Sequence, residues 1–326
     1  NILCSLTVNK KSNAIFLFLK MQMFNTFKSS INQSLDNIEG HSIVIKREDL
    51  IHPIISGNKF RKLKYIFKEV IDRKTPTVIT FGGAFSNHLA AVASAGKSIG
   101  VQTVGIIRGD EWENKINQSV TLSFCKNEGM HLICIPRKIY AEKDAAIEVQ
   151  QILKKYPKNR LIPEGGTETL AIQGCSEIME DEDLEFDSIC CSIGTGGTFI
   201  GLIESSSLNQ KVVGFNALKN SSITDFISIQ TKKKNWEINS EYTFGGYAKT
   251  DDSLISFMNT FYQQYKIPLD PIYTGKMLFA IFELIKKKEW KWGKSILVIH
   301  TGGIQGIAGM NIQLQKKNAQ LISYEK

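Results

Sequence analysis

Ser188-Ile189-Cys190-Cys191-Ser192-Ile193-Gly194-Thr195-Gly196-Gly197-Thr198 is the stretch on which the fold turns. An apolar run ends in a glycine-rich turn, and a second apolar run, Phe199–Glu204, follows with helical character. A short continuous apolar segment closed by turn residues suits a strand buried on both faces. Glycines at 194, 196 and 197 let backbone amides converge, and the N-terminus of the next helix adds partial positive charge. Together they suit a phosphate dianion. The same spacing also suits a plain structural turn. The dinucleotide pattern G-x-G-x-x-G fails because Phe199 stands where its last glycine belongs, and the nucleotide-triphosphate loop lacks its Gly-Lys-Ser/Thr ending.

The strand-turn-helix unit recurs. Strand-like runs at Ser42–Lys46, Thr77–Phe81, Val101–Ile107, His131–Ile135, Phe186–Ser192, Lys211–Phe215 and Ser295–His300 alternate with helical patterns. The helical patterns lie at Asn58–Arg73, Asn87–Ile99, Ala141–Tyr156, Glu168–Glu180, Ser253–Tyr265 and Gly275–Lys288. In the first of them Phe60, Leu63, Phe67, Val70 and Ile71 share one face. Such alternation predicts an α/β fold of parallel sheets with helices on both faces, and ligands in these folds bind beyond the carboxyl ends of the strands. Gly82-Gly83, Gly194–Thr198 and Thr301–Gly303 all fall at strand ends. The length of 326 residues suits two domains. The larger is expected from 23–60 with 171–326 and the smaller from 61–170, with Pro163–Thr167 as the clearest mid-chain loop.

Composition excludes more than it selects. Apolar content of 42% and charged content of 22% are ordinary for a globular protein. The net charge of +8 is diffuse, and its densest run, Lys232-Lys233-Lys234, is expected to be solvated surface. No zinc-finger spacing or aromatic-basic RNA signature points to nucleic acid. None of the six cysteines forms a C-x-x-C, and Cys190-Cys191 lies in an apolar strand, so reduced thiols in a cytoplasmic enzyme without a metal are expected. The apolar run Ala14–Leu19 is too short for a membrane span. Residues 1–22 are expected to be a disordered leader or a non-native extension, with Met21 or Met23 as a start.

Chemistry-bearing residues cluster at the loop-to-helix junctions. Lys59, in Ser56-Gly57-Asn58-Lys59-Phe60-Arg61-Lys62-Leu63, enters the first turn of a helix behind a Gly-Asn turn. In Phe81-Gly82-Gly83-Ala84-Phe85-Ser86-Asn87-His88, Ser86 or Asn87 suits a helix cap as well as it suits a ligand contact. His88 reads as packing or capping rather than as a base. Thr301 places a small hydroxyl at a strand end. Tyr273, in Leu269–Lys276, reads equally as core or as site, and Tyr247, among the glycines of Phe244–Tyr247, reads as cleft lining.

Taken in order, these segments resemble the 1-aminocyclopropane-1-carboxylate (ACC) deaminase / D-cysteine desulfhydrase family. The carrying motifs are Val44–Leu50, Gly57–Leu63, Ser86–His88, Pro163–Gly166, Gly194–Thr198, Leu269–Lys276 and His300–Gly303, from about Val44 to Met310. The resemblance implies a pyridoxal 5'-phosphate (PLP) enzyme of fold type II, with a smaller sheet domain inserted in a larger one, acting on a small amino acid as a homodimer. It matches Lys59 to the Schiff-base lysine and Lys62 to a phosphate-binding lysine beside Gly194, Thr195, Gly196, Gly197 and Thr198. It matches Asn87 to the partner of the ring hydroxyl and Thr301 to the ring nitrogen. Ser86, Tyr273 and Tyr247 match residues that face the substrate and handle protons.

Thr274 and Thr301 stand where ACC deaminases typically carry Glu and Leu, so the resemblance favours the desulfhydrase branch, with amino acid β-elimination to pyruvate, ammonia and sulfide. ACC ring opening to 2-oxobutyrate is the alternative, and a non-catalytic PLP-binding protein is a third. Family members often carry Gln where this chain has Phe85, which makes this part of the pocket more apolar.

Overall fold

The computed structural model describes residues 29–218 and 221–324. The expected leader, with Met21 and Met23, lies outside the described residues. Ten strands are described: β1 (Asn32–Ser34), β2 (Ser42–Lys46), β3 (Thr77–Gly82), β4 (Gln102–Arg108), β5 (His131–Ile135), β6 (Asn159–Ile162), β7 (Ser188–Ile193), β8 (Lys211–Asn216), β9 (Trp236–Asn239) and β10 (Ser295–Ile299). The described helices are α1 (Asn58–Asp72), α2 (Asn87–Ile99), α3 (Val120–Asn127), α4 (Arg137–Glu142), α5 (Ile147–Lys154), α6 (Thr169–Ser176), α7 (Gly197–Ser205), α8 (Ile223–Gln230), α9 (Asp252–Tyr265), α10 (Thr274–Lys286) and α11 (Gly306–Lys316).

The strands form two sheets. A six-stranded sheet runs β1-β2-β10-β7-β8-β9 and a four-stranded sheet runs β5-β4-β3-β6. Every pairing is parallel except that of β1 with β2. The four strands of the second sheet all lie in the chain between β2 and β7. Side chains alternate between the two faces of each sheet with the period-2 geometry of a strand. On β2, Ile43 and Ile45 pack into the core that holds Met258 of α9 and Ile281 of α10. Val44 points the other way, with Phe199 and Ile203 of α7. Both faces are buried, which is why these strands read as unbroken apolar runs.

A buried charge cluster lies under the start of α1. The Arg61 guanidinium donates to both carboxylate oxygens of Glu48, at 2.9 and 2.8 Å. Arg47 grips Asp49 the same way, at 2.8 and 2.7 Å. Lys46 pairs with Asp183 at 2.7 Å and with Glu180 at 3.1 Å. The motif Lys46-Arg47-Glu48-Asp49 is therefore a foundation for α1. Gly57 then turns the chain into that helix with φ +63° and ψ −145°, a region only glycine occupies readily. A Cβ at Gly57 would lie 2.0 Å from the Thr301 carbonyl oxygen.

Three sequence expectations change. The helix expected at Ala141–Tyr156 is broken, because Lys143 adopts φ +54° with its ammonium 2.7 Å from Glu164 and over the Tyr140 ring. The helix expected to run to Glu180 stops at Ser176, since Glu180 and Asp183 are committed to a reciprocal cap of the next turn and to Lys46. Lys233 is not simply solvated: its ammonium donates to the Glu204 and Ser206 carbonyls at the end of α7, at 2.7 and 2.6 Å. Strands β1, β6 and β9 and helices α3, α8 and α11 were not expected. The strands are short and β1 and β9 are polar edge strands, which blunts any periodic signal.

Gly57→Ala is expected to cost at least about 2 kcal/mol of stability, through clash and a strained backbone. Gly40 has φ +81° but no atom within 4 Å of the place a Cβ would take, so Gly40→Ala should cost about 1 kcal/mol. Urea unfolding of both variants checks this, and equal losses would contradict it.

Candidate active site

A cavity of about 360 Å3 is lined by the segments that follow β3, β7 and β10, together with the start of α1. The three glycine turns picked out in the sequence thus open on one space. Among the predicted residues Lys59, Lys62, Ser86, Asn87, Gly194, Thr195, Gly196, Thr198, Tyr247, Tyr273 and Thr301 all line it. Gly197 lies just behind, where a Cβ would come within 3.3 Å of Lys62 Nζ.

One pole suits an anion. Lys62 Nζ donates to the Gly165 carbonyl at 2.8 Å, to Thr167 Oγ1 at 3.0 Å and to Thr195 Oγ1 at 3.3 Å. It thereby ties the 165–167 loop to the glycine turn. The first amides of α7 have no intrahelical acceptor, and Gly196, in the left-handed conformation at φ +88°, aims the turn into them. An ammonium, two hydroxyls and a helix N-terminus at one spot suit a phosphate group. The dipole alone contributes about 0.3–1 kcal/mol when exposed, so tight retention needs the side chains as well.

Lys59 lines the cavity from the first turn of α1. It is half-buried by area because the cavity reaches it, while protein encloses the amine. Burial first, and the charge of Lys62 second, pull its pKa down to about 7. Nζ donates to Asn58 Oδ1 at 3.1 Å, and Asn58 Nδ2 in turn donates to Thr198 Oγ1 at 2.9 Å. The phosphate pole and the lysine are therefore held in one chain of contacts. Asn87, on α2, presents an amide whose Oδ1 is buried without a partner and whose Nδ2 lies 3.5 Å from the Gly303 carbonyl. An orphaned amide in that place suits a polar ring substituent. The residues present fit pyridoxal phosphate.

The remaining wall carries the groups for proton handling. Ser86 both lines the cavity and caps α2, its Oγ accepting from the Leu89 amide at 3.3 Å. Tyr273 lies against the glycine turn, with its hydroxyl 3.5 Å from where a Gly194 Cβ would stand. Burial, then Tyr247, pushes the Tyr273 phenol well above the ordinary value. Tyr247 is 44% exposed, yet burial also raises its phenol. Its loop is pinned by Lys276, which donates to the Thr243 and Gly246 carbonyls at 2.8 and 2.7 Å.

His88, read from sequence as packing or capping, is buried and also lines the cavity. Thr80 Oγ1 spends its proton on the Ile162 carbonyl at 3.0 Å, so His88 Nε2 is the donor in the 2.9 Å contact with Thr80. Burial, then Lys59 and Lys62, keeps this imidazole neutral.

Thr274 takes a different place from Thr301. It is fully buried and does not line the cavity. Its hydroxyl donates to Asp270 Oδ2 at 2.7 Å and accepts from the Asp270 amide at 2.9 Å. Asp270, which sequence reading passed over, caps α10 by accepting from the Ile272, Tyr273 and Thr274 amides at 2.8–2.9 Å. Thr274 therefore acts on the site by fixing the loop that aims Tyr273, whereas Thr301 faces the cavity. Arg108, Glu164 and Ser192 line the cavity too, and Thr167 joins the anion pole. None was singled out from sequence. Glu164 lay in Pro163–Gly166, a motif of the family resemblance to which no role was attached, Thr167 in the loop that follows, and Arg108 was the unremarked end of a strand. No cluster of His, Cys, Asp and Glu able to hold a metal occurs among the described residues, and no described helix is long and apolar enough to cross a membrane.

Comparison with known proteins agrees with this geometry. The family model for pyridoxal-phosphate-dependent enzymes matches residues 32–302. A Pyrococcus horikoshii protein provisionally named a 1-aminocyclopropane-1-carboxylate deaminase is 31% identical over 84% of this chain and 89% of its own length. The Arabidopsis thaliana bifunctional D-cysteine desulfhydrase/1-aminocyclopropane-1-carboxylate deaminase is 29% identical over 82% of this chain and 74% of its own. The crystal structure of an ACC deaminase homologue superposes with a TM-score of 0.76 at 27% identity, covering 89% of this chain and 94% of that one.

The lowered pKa of Lys59 has a direct readout. In cofactor-free protein, acetylation of Lys59 followed by mass spectrometry should rise with pH and reach half its limit near pH 7. Removing a neighbouring positive charge favours the protonated amine, so Lys62→Met should move that midpoint upward. A wild-type midpoint above about 9, within reach of an ordinary lysine, would contradict the account.

Proposed function

This chain belongs to the pyridoxal-phosphate-dependent enzymes, in the ACC deaminase / D-cysteine desulfhydrase family with its fold type II architecture, and on that premise we propose that it is a deaminating lyase of the D-cysteine desulfhydrase type. One observation carries the reading. Lys59, whose pKa burial pulls down to about 7, lines one cavity together with Lys62, the glycine turn at Gly194–Thr198 and the phenols of Tyr247 and Tyr273.

In this reading Lys62, Thr167, Thr195 and the first amides of α7 hold the cofactor's phosphate. Asn87 would meet its ring hydroxyl, Thr301 its ring nitrogen, and Lys59 would be the point of covalent attachment. Bound there, pyridoxal phosphate supplies an attachment for the substrate amine and a ring that withdraws electrons from the substrate's α-carbon. Lys59, as a neutral amine, would take the Cα proton, a role its lowered pKa suits. Tyr273 keeps its proton at neutral pH, so it serves as a donor and positioning group rather than as the base. Ser86, fixed by its cap to Leu89, orients the substrate against the start of α2. The balance is that an amino acid bearing a β-substituent X takes up one water and gives pyruvate, ammonium and HX.

ACC ring opening is the second reading, favoured by the same protonated phenols of Tyr247 and Tyr273, which can deliver a proton to a ring carbon. The non-catalytic alternative is weakened by Ser86, Tyr247 and Tyr273 all lining the cavity. A homodimer and a cytoplasmic setting complete the proposal, the latter supported by five free thiols among the described residues.

Holoenzyme offered D-cysteine, β-chloro-D-alanine and ACC in parallel should release pyruvate from the first two and no 2-oxobutyrate from the third. Tyr273→Phe should lower kcat by about 100-fold or more. Formation of 2-oxobutyrate from ACC would overturn the branch assignment.

A further inference from the structure

Arg108 ends β4, and the parallel pairing of Ile107 with Gly82 places it beside the loop that leads to Ser86. It lines the cavity. Gly83 has no side chain there, and a Cβ would stand 3.3 Å from Arg108 Nη2. Arg108 Nε is buried without a hydrogen-bond partner. Among the described residues the guanidinium forms no ion pair, and its central carbon stands 6.0 Å from the centroid of the Tyr140 ring. Glu164, the carboxylate that shares this wall, is already committed to the Tyr140 hydroxyl at 2.7 Å and to Lys143 at 2.7 Å. A guanidinium always carries its charge and presents five N–H donors, so leaving it partly buried and unpaired is costly unless an anion arrives.

The question is which anion. The phosphate pole has Lys62 and the glycine turn. An α-carboxylate has the N-terminus of α2, where the Leu89 amide goes to Ser86 and the first amides, of Asn87 and His88, lack intrahelical acceptors. Once both are supplied, one cationic group is left over on the side of Phe85, whose ring packs edge-on to Trp112 with centroids 5.6 Å apart. We propose that Arg108 is a specificity-determining residue that takes a second anionic group, carried on the side chain of the amino-acid substrate, so that acidic amino acids or those with a charged β-substituent are preferred. This inference rests on the amino-acid lyase reading and narrows its substrate class.

Alanine and aspartate differ only by a side-chain carboxylate, which makes them the probes. Calorimetric titration of holoenzyme with both enantiomers of each should show one enantiomer of aspartate binding at least about tenfold more tightly than the matching alanine, the increment expected of one charge-assisted contact. In Arg108→Gln that ratio should fall to about one. Arg108→Lys, which keeps the charge without the planar fork, should retain part of it. The visible absorbance of bound cofactor reports that each variant is folded and loaded. A wild-type ratio near one would overturn the proposal. So would a ratio that survives Arg108→Gln while both ligands weaken together, since Arg108 would then serve the α-carboxylate. The failures are separable. Pyruvate from β-chloro-D-alanine without any aspartate preference sinks this inference and leaves the lyase reading intact. An Arg108-dependent preference without turnover of any probe sinks the lyase reading and leaves the anion site standing.

Discussion

The close approach of Gly57 to the backbone of Thr301 is the contact on which the site depends. It joins the start of α1 to the end of β10, and a single methyl group at residue 57 would fall 2.0 Å from the Thr301 carbonyl. The Asn58 amide donates to that same carbonyl at 3.2 Å, and the Gly57 amide donates to Glu48 at 3.1 Å. Glu48 in turn holds Arg61, one turn further along α1. Lys59 and Lys62 are therefore aimed by backbone contacts at one end of the turn and by a buried ion pair at the other. Breaking a buried pair by removing one partner typically costs about 3–5 kcal/mol, which makes this a firm support.

The electrostatics follow from that placement. Two lysines enter the same low-dielectric space one turn apart; burial lowers the pKa of both, and the charge of Lys62 lowers that of Lys59 further. Lys62 spends its three donors on two loops and Lys59 is left as the amine that gives up its proton near neutrality. An anion delivered to the pole at Lys62 would restore balance there without lying on Lys59. The phenols of Tyr247 and Tyr273, pushed upward by burial, stay protonated alongside. Base and donors are thus separated by environment rather than by residue type, as in other enzymes that run acid and base chemistry in one pocket.

Much of this was legible in the chain itself. The strand-turn-helix unit at Ser188–Thr198 and the face of Phe60, Leu63 and Phe67 pointed to an α/β fold, because buried parallel strands and an amphipathic helix leave strong periodic signals. Ser86 could not be assigned to capping or to the site from sequence, and in the structure it caps α2 and also lines the cavity. Sequence adjacency to Tyr273 does not reveal that the Thr274 hydroxyl is spent on Asp270. Arg108 and Thr167 were invisible for a related reason. They sit at a strand end and in a loop with no periodicity, and only the folding of the second sheet against the first brings them to the cavity. Lys143 broke a helix that propensity favours, since its partner Glu164 is distant enough in sequence for local patterns to miss.

The most direct measurement is where the cofactor is attached. Borohydride reduction of the holoenzyme followed by peptide mapping should place the pyridoxyl label on Lys59 and on no other lysine, and Lys59→Ala should carry none. Label on Lys62 or on any other residue in wild-type protein would contradict the account at its centre.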